Sequence, residues 1–279
     1  MIPLFYNGVS PLFSKSGFYD RRTDMTEILC IANQKCGVGK TTTAVNLAAA
    51  LAIRNHKTLL VDCDSQANAT TGMGIDKSKL THTLYHGLIG EADVNQIIVD
   101  SEIAALKVIP SRVELIGFDI EMLATPDREM TLRKLLSRII EPFDFIIIDC
   151  PPSLSLLTVN AMAAARAMLI PLQCEFYALE GLSQLLQTVK RIKHSLNADL
   201  KIAGILLTMF DTRTNLSHQV AENAKKYFNK LVFKTTVPRN VRLGESPSFG
   251  KPIFLYDAQS IGAKSYLALA DEITDSNRP

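Results

Sequence analysis

The chain has 279 residues, 47% of them hydrophobic, which is enough to bury a full core and favours one large α/β domain over two small ones. Its net charge of +2 is too small to indicate nucleic-acid binding by itself. The five cysteines form no C-x-x-C pair, which argues for reduced thiols and against a disulfide framework or zinc site, and no apolar run approaches the ~18 residues of a membrane span.

The first 24 residues differ in character from the rest of the chain. They mix proline, glycine, serine and aromatic residues without periodicity, and they lack the basic start and apolar core of a signal peptide. Met25 immediately precedes the first predicted strand. We therefore expect a disordered extension over residues 1–24, or a start codon placed too far upstream, followed by a single domain over residues 25–279.

The strongest motif is Lys35-Cys36-Gly37-Val38-Gly39-Lys40-Thr41-Thr42. It lies between an apolar run at residues 28–32, which predicts a strand, and an Ala-rich stretch at residues 43–52, which predicts a helix. Glycines let backbone N–H groups come close to a polyphosphate, and the helix start directs its positive dipole end at the same anion. The motif therefore predicts a phosphate-binding loop.

Three side chains of this loop have predicted roles. Lys40 places a cation between the outer phosphates, Thr41 offers a hydroxyl to Mg²⁺, and Thr42 adds one more donor. The common pattern G-x-x-x-x-G-K-[ST] is not met in full, because Gln34 stands where its first glycine should be.

Lys35, a second lysine inside the loop, makes the motif resemble the deviant Walker A signature of the ParA/MinD family of dimeric ATPases. In that family the signature lysine reaches across a dimer interface to the partner's nucleotide. The resemblance therefore implies a catalytic role for Lys35 beside Lys40. The family usually has Gly-Gly after this lysine, and here Cys36 replaces the first glycine.

A carboxylate-rich segment, Asp62 to Asn68, follows the strand predicted at residues 57–62. Carboxylates at the carboxyl end of a strand beside a phosphate loop lie where open α/β sheets bind ligands. The segment resembles the family's D-x-D-P-Q-x-N motif, with Ser65 in place of the proline. The resemblance implies that Asp64 orients the attacking water and that Asp62 supports the Mg²⁺ shell.

Residues 73–130 carry a weaker signal and no assigned chemistry. His82 and His86 are four residues apart on a predicted helix, a spacing that could serve a metal. No third ligand lies nearby, so a half-exposed pair is the favoured interpretation. The predicted elements are helices at residues 80–89, 94–99 and 112–123, and a strand at residues 106–110.

An apolar strand predicted at residues 143–149 ends in Asp149-Cys150-Pro151-Pro152. Such a strand delivers a carboxylate to the metal site as a Walker B element, and we expect Asp149 to hold Mg²⁺ through water. The two prolines stop the strand and stiffen a loop that can respond to the γ-phosphate.

Strands and helices alternate from residue 27 to residue 273. This alternation predicts an α/β fold, a mostly parallel twisted sheet with helices on both faces. Together with the phosphate loop, the family resemblance implies that this fold is P-loop NTPase-like. The remaining predicted elements are helices at residues 131–140, 153–165, 177–196, 215–228 and 261–273, and strands at residues 168–172, 201–209 and 232–237.

Positive charge is concentrated in the segment from Asp211 to Lys251, which has eight basic and three acidic residues and a net charge of +5. Phosphate contacts from such a segment give sequence-independent, salt-sensitive DNA affinity, and a solvated basic surface is the alternative.

The same part of the chain resembles the chromosomal ParA (Soj-type) proteins. That resemblance implies that a loop at residues 238–252 cradles the adenine around Pro238-Arg239-Asn240. It also implies that Arg213 and Arg242 contact DNA.

The resemblance as a whole implies a cytoplasmic, nucleoid-associated ATPase. It would bind ATP with Mg²⁺, form a homodimer around the nucleotide, bind non-specific DNA, and hydrolyse ATP with a ParB-like partner to segregate a chromosome or plasmid.

The main alternative is a MinD-like or other positioning ATPase acting on a membrane or protein cluster. A membrane-cycling protein would need a basic amphipathic C-terminal helix, whereas residues 271–279 are acidic and end in proline, so no membrane partner is expected. An iron–sulfur carrier would need paired cysteines. A dethiobiotin-synthetase-like ligase would not be expected to carry the basic segment.

Overall fold

The computed structural model describes residues 26–175 and 178–275, so the extension predicted at residues 1–24 lies outside the described residues. Within the described ranges, eight strands form one sheet. They are β1 (Glu27–Ile31), β2 (Thr58–Asp62), β3 (Val99–Asp100), β4 (Leu106–Ile109), β5 (Phe145–Asp149), β6 (Ala167–Gln173), β7 (Lys201–Phe210) and β8 (Val232–Pro238).

The strand order is β3-β4-β2-β5-β1-β6-β7-β8, and every neighbouring pair is parallel except the antiparallel pair β3 and β4. This arrangement confirms the predicted mostly parallel α/β fold. The α-helices of the described residues are α1 (Lys40–Ile53), α2 (Asn68–Gly72), α3 (Leu84–Leu88), α4 (Val94–Ile97), α5 (Phe118–Glu121), α6 (Thr131–Leu136), α7 (Leu156–Ala164), α8 (Ala178–Ser195), α9 (Asn215–Phe228), α10 (Val241–Glu245), α11 (Ile253–Tyr256) and α12 (Ile261–Asp275). Single 3₁₀ turns lie at Lys77–Lys79, Val113–Gly117, Arg128–Met130, Asn229–Leu231 and Ser246–Phe249.

The central strands are buried on both faces, as expected for a parallel sheet covered by helices. Alternate side chains of β2 enter two separate hydrophobic cores: Leu59 and Val61 contribute to one, and Leu60 to the other. The second core also contains the alanines of α1 and the inner face of α12. None of the helices in the described residues is both long and apolar enough to cross a membrane.

Strand register aligns the ends of three central strands. In β1 and β5, Ile31 pairs with Asp149, and in β2 and β5, Asp62 pairs with the same Asp149. The loops that follow β1, β2 and β5 therefore leave the sheet together at its carboxyl edge.

Several predicted helices differ from the observed ones in where they begin or end. The helix predicted at residues 112–123 is a 3₁₀ turn followed by α5, and the helix predicted at residues 94–99 stops at Ile97 because Val99 and Asp100 pair with β4. The helix predicted at residues 131–140 ends at Leu136. Three short helices, α2, α10 and α11, were not predicted because five residues or fewer carry no helical periodicity.

The histidine pair has a structural explanation. His82 does not lie on the predicted helix, because α3 begins at Leu84 with Thr83 as its N-cap. His86 Nδ1 lies 3.1 Å from the backbone nitrogen of Thr83 and caps the helix start. The rings of His82 and His86 meet edge to face, with centroids 5.4 Å apart.

A buried acid, Glu27, begins β1 at the opposite edge of the sheet from the aligned strand ends. It is 9% exposed, and its Oε2 lies 3.6 Å from Nε of Arg166. Burial raises the pKa of Glu27 to about 7, although the charges of Arg166 and Lys201 oppose the shift.

Because this folded-state pKa lies above the ordinary value, protonated Glu27 stabilises the fold at low pH, and that stabilisation is lost as the pH rises through about 7. We expect Glu27→Gln to flatten the dependence of unfolding free energy on pH and to make the chain more stable than the parent at pH ~8, by at most about 3 kcal/mol. Urea unfolding at a series of pH values measures the effect. Glu91→Gln, which removes an exposed carboxylate, is the control. Parallel pH profiles for the parent and Glu27→Gln would contradict the assignment.

Candidate active site

The loop between β1 and α1 takes its shape from two glycines. Gly37 and Gly39 have φ angles of +74° and +84°, in the left-handed region that favours glycine. Cys36 is exposed and does not have a positive φ, so its side chain is accommodated where the family usually has glycine. Val38, in contrast, is buried beneath the loop.

Two polar side chains from distant elements hold this loop. Asn33 donates from Nδ2 to the carbonyl of Pro171 in β6 at 2.7 Å and accepts from the backbone N–H of Lys35 at 3.0 Å. Thr208 of β7 donates from Oγ1 to the carbonyl of Val38 at 2.9 Å. Sequence reasoning missed both residues; the available signal is a polar residue close to the carboxyl end of an apolar run, two residues after β1 for Asn33 and within the last three residues of β7 for Thr208.

The two lysines of the loop lie in different environments. Lys40 is buried and donates to the carbonyl of Lys35 at 2.9 Å. Burial lowers the pKa of Lys40, while the nearby carboxylate of Asp149 acts in the opposite direction. The side chain of Lys35 is 44% exposed and forms an ion pair with Glu175, which sequence reasoning did not single out.

The first turn of α1 connects the loop to the rest of the molecule. The Thr41 side chain lies beside the Asp149 carboxylate and opposes the rise of its pKa. The Thr42 carbonyl accepts from Asn46 Nδ2 at 2.8 Å, and Asn46 Oδ1 accepts from the backbone N–H of Ile253 at 2.7 Å. Asn46 thereby ties the loop to the start of α11.

Asp62 and Asp149 are fully buried and differ in their hydrogen bonding. Asp62 accepts from the backbone N–H of Thr70 at 2.8 Å, from Thr70 Oγ1 at 2.7 Å and from the backbone N–H of Asp64 at 3.1 Å. Among the described residues, neither carboxylate oxygen of Asp149 has a hydrogen-bond partner. A buried acceptor in this condition calls for another partner, such as a cation or water.

The titration of this pair follows from its burial. Burial raises the pKa of Asp62 to about 6, and the hydrogen bonds from Thr70 limit the rise. Burial, followed by repulsion from Asp62, raises the pKa of Asp149 well above its ordinary value. Oxygen ligands of this kind suit Mg²⁺, which takes one or two protein carboxylates and completes its shell with water and phosphate oxygens.

Asp64 lies at the rim of the same edge and is 8% exposed. Its Oδ1 accepts from the backbone N–H of Gln66 at 3.0 Å, and its carbonyl accepts from the backbone N–H of Ala67 at 2.9 Å. Ala67 has a φ of +53° and caps α2. The carboxylate of Asp64 is thus placed by its own turn, close to Asp62.

Two glycines join this region to the C-terminal part of the chain. A Cβ built on Gly74, which follows α2, would lie 2.6 Å from the carbonyl oxygen of Gly250. A Cβ on Gly250 would lie 2.9 Å from the Cα of Gly74. The backbones of the two segments are therefore in direct contact.

The segment expected to be a loop at residues 238–252 is largely helical, since it contains α10 and the 3₁₀ turn Ser246–Phe249. Pro238 ends β8 in register with Phe210 of β7, and the backbone N–H of Arg239 donates to the Phe210 carbonyl at 3.3 Å. Asn240 caps α10 by accepting from the backbone N–H of Leu243 at 3.3 Å. These residues lie at the carboxyl edge of the sheet.

Arg213 and Arg242 follow β7 and β8 at this same edge, and both are already paired. Arg213 donates to both oxygens of Asp211, at 2.9 and 2.8 Å, and its side chain is 85% exposed. Arg242 Nη1 lies 3.1 Å from Glu245, and its Nε lies 3.6 Å from Asp257. Hydrogen bonds from Arg213 lower the pKa of Asp211 far below its usual range.

Comparison with known proteins gives consistent matches. The family model described as "AAA domain" matches residues 26–202. The chain is 54% identical over 252 residues to the chromosome partitioning protein ParA of Myxococcus xanthus, covering 90% of this chain and 89% of that protein. It is also 54% identical over 249 residues to the sporulation initiation inhibitor protein Soj of Bacillus subtilis, covering 89% and 98%.

Among solved structures, the cobyrinic acid a,c-diamide synthase of Mycobacterium smegmatis with a bound ATP analogue and magnesium is similar to this chain. The TM-score is 0.78 and the identity is 34%, with 88% of this chain and 93% of that chain covered.

The unpartnered carboxylate of Asp149 is expected to destabilise the nucleotide-free fold. Asp149→Asn removes a buried charge that Asp62 repels, so we expect the unfolding free energy to rise by about 1–2 kcal/mol at pH ~8, with loss of nucleotide-dependent activity. Urea unfolding without nucleotide measures the change. Asp62→Asn is the matched control, since it disturbs the hydrogen bonds from Thr70 and should bring no such gain. Equal effects of the two substitutions would contradict this account.

Proposed function

The chain belongs to the ParA/MinD family, and on that premise we propose that it is an ATP-dependent partition ATPase with one ATPase domain over residues 25–279. It binds ATP with Mg²⁺, dimerises around the nucleotide, binds DNA without sequence preference, and hydrolyses ATP when a ParB-like protein engages it. The observation that carries the proposal is the convergence of Lys40, Thr41, Asp62, Asp64 and Asp149 at one edge of the sheet.

In this proposal the backbone N–H groups of residues 36–42 bind the phosphates. Lys40 breaks its hydrogen bond to the Lys35 carbonyl, and its ammonium then lies between the outer phosphates. Thr41 and Asp149, supported by Asp62, would hold Mg²⁺, which would supply positive charge to neutralise the phosphates. The buried, unpartnered oxygens of Asp149 support this assignment.

Asp64 is assigned to the attacking water. Its carboxylate lies at the rim of the edge, beside the buried carboxylate of Asp62. In that position Asp64 would accept a hydrogen bond from the water and direct its lone pair at the γ-phosphorus, since phosphoryl transfer is catalysed mostly by positioning.

Lys35 is assigned to the dimer. Its exposed ammonium turns away from the buried position that Lys40 occupies, so the two lysines are suited to different phosphates. The ion pair with Glu175 is half exposed and stabilises the fold by less than about 1 kcal/mol. A phosphate of the nucleotide bound to the partner subunit could therefore replace Glu175 as the partner of Lys35.

At the other end of the nucleotide, Pro238, Arg239 and Asn240 are assigned to the adenine. They follow β8 at the carboxyl edge, and the N-cap bond of Asn240 fixes the turn. The family resemblance, together with this position, supports the assignment.

Arg213 and Arg242 are assigned to DNA. They follow adjacent strands on the side of the sheet where the chain carries its +5 segment. DNA phosphates would compete with Asp211 and Glu245 for these guanidinium groups, so affinity should fall steeply with salt.

The proposed cargo is chromosome or plasmid DNA, and the proposed location is the cytoplasm, on the nucleoid. The two relatives that match at 54% identity include one named for chromosome partitioning, whereas the amide-forming synthase matches at 34%. These identities favour partition over a metabolic ligase.

Asp64→Ala should separate binding from hydrolysis. We expect ATP binding and ATP-dependent dimerisation to persist while turnover falls at least about 100-fold, because the water loses its orienting carboxylate. Nucleotide binding, dimer mass and phosphate release measure the three steps. Lys40→Ala is the comparison, and we expect it to lose nucleotide binding. Rapid turnover by Asp64→Ala would show that another group positions the water.

Arg213→Glu combined with Arg242→Glu should abolish ATP-dependent DNA retention at ~100 mM salt, while ATP binding is kept. Lys190→Glu with Arg191→Glu makes the same charge change on exposed residues of α8 and is the control. Filter retention of DNA across a salt series measures the difference. Retention that survives the first pair, or that both pairs reduce equally, would place the DNA surface elsewhere. ATP-dependent dimers that ignore DNA would favour a positioning ATPase that acts on another cargo.

A further inference from the structure

One buried polar side chain joins the two parts of the site that are assigned to opposite ends of the nucleotide. Asn46 lies in α1, the helix that begins with Lys40, and it is 3% exposed. Its Nδ2 donates to the Thr42 carbonyl at 2.8 Å, and its Oδ1 accepts from the backbone N–H of Ile253 at 2.7 Å. The side chain thus makes one bond within α1 and one bond across to α11.

The bond to Ile253 fixes a position that apolar packing leaves free. Val237 of β8, Leu243 of α10 and Ile253 of α11 are buried in the same hydrophobic core as the alanines of α1. Apolar contacts are non-directional, so by themselves they would allow these elements to shift along α1. A hydrogen bond requires a narrow range of distance and angle, and the N–H of the fully buried Ile253 needs an acceptor. The bond therefore fixes where α11 begins relative to α1.

From α11 the contacts lead to the residues assigned to the adenine. The hydroxyl of Tyr256, the last residue of α11, donates to Glu245 Oε2 at 3.0 Å. Glu245 is the last residue of α10, and Asn240 caps the start of that helix. The stretch from Asn240 to Tyr256 is thus connected internally, and Asn46 holds it through α11.

The same stretch meets the carboxylate segment on another side. Gly250, three residues before Ile253, is in backbone contact with Gly74, and the two glycines have φ angles of +63° and +73°. Gly74 follows α2, the helix from which Thr70 donates to Asp62. This steric contact prevents the two segments from moving closer, but only an attractive contact, such as the bond to the Ile253 N–H, prevents the stretch from moving away.

We propose that Asn46 is a positioning residue for ATP. Through Ile253 it sets the distance between the phosphate loop and the residues assigned to the adenine, so that the site favours a triphosphate that carries adenosine over one without a base. This inference rests on the proposed function, which assigns Pro238, Arg239 and Asn240 to the adenine. Contacts at both ends of the nucleotide add to its affinity only when the two ends of the site are held at the right spacing.

The test compares ATP with inorganic tripolyphosphate, each with Mg²⁺, in the full chain. Tripolyphosphate can bind to the phosphate loop but has no base. Asn46→Ser keeps a hydroxyl that can donate to the Thr42 carbonyl and is too short to reach Ile253. Asn46→Asp is the complementary variant, because it keeps an oxygen that can accept from the Ile253 N–H.

Thr43→Val is the matched control. Thr43 is buried in the same helix, and its hydroxyl lies 3.1 Å from that of Tyr266 in α12. The substitution therefore breaks a buried hydrogen bond between α1 and α12, and it leaves the bond between α1 and α11 in place.

We expect the parent chain to bind ATP more tightly than tripolyphosphate. In Asn46→Ser the ratio of these two affinities should fall at least about tenfold, while the affinity for tripolyphosphate stays unchanged. The KM for ATP should rise by a similar factor with little change in kcat, because the groups at the phosphates are untouched. Asn46→Asp should keep most of the ratio, and Thr43→Val should keep all of it. Calorimetric titration and phosphate release measure these quantities.

Three results would overturn the inference. One is a parent-like ratio in Asn46→Ser, which would show that packing alone positions the adenine residues. Another is an equal fall of both affinities in that variant, which would assign Asn46 to the stability of the fold and not to spacing. The third is the same fall of the ratio in Thr43→Val. A parent chain that binds the two ligands equally would instead refute the adenine assignment of the proposed function, and the inference with it.

Discussion

The burial of two like charges at the ends of adjacent strands is the constraint on which this site depends. Asp62 and Asp149 face the same buried space because β2 and β5 pair in register. Hydrogen bonds from Thr70 compensate Asp62, whereas the buried carboxylate of Asp149 has only the neighbouring Thr41 side chain and the charge of Lys40 to offset it. The fold thus holds an electrostatic deficit that a cation can relieve, with Lys40 and Thr41 beside it. A bound cation would remove the repulsion between the two buried carboxylates. The free energy of that repulsion, which the empty site already carries, would therefore add to the affinity for the cation.

The fold and the phosphate loop could be predicted from sequence because their signals are local. A strand, a glycine-bearing loop and a helix follow one another, and Asp149 ends an unbroken apolar run. What holds the loop could not be predicted, because Asn33 and Thr208 act through partners more than a hundred residues away. Cys36 fits into the loop because its φ angle is not positive, and the neighbouring residues in the sequence do not predict that angle. The helix predicted at residues 112–123 failed as a regular helix because tertiary packing of its buried side set the local backbone.

In the basic segment, the net charge overstates how many arginine side chains are free to bind an anion. Arg213 and Arg242 belong to a segment of net charge +5, yet each has an acidic neighbour within hydrogen-bonding distance. Their positive field is therefore partly cancelled until another anion competes. If these arginines bind DNA as proposed, such pairing would weaken single contacts with a polyanion, and binding would require several phosphates at once.

The order of the strands also has a consequence for how the chain is made. The centre of the sheet joins β1 to β5, and Thr26 donates from Oγ1 to the carbonyl of Phe143, 117 positions away, at 2.7 Å. In a chain emerging from the ribosome, β1 and β2 therefore cannot form their pairs with β5 until β5 has been synthesised. Contacts of such long sequence separation slow folding, and during the delay two apolar strands remain without their central neighbour. Nascent chains that stop before β5 are therefore expected to expose apolar strand surface and to be prone to aggregation.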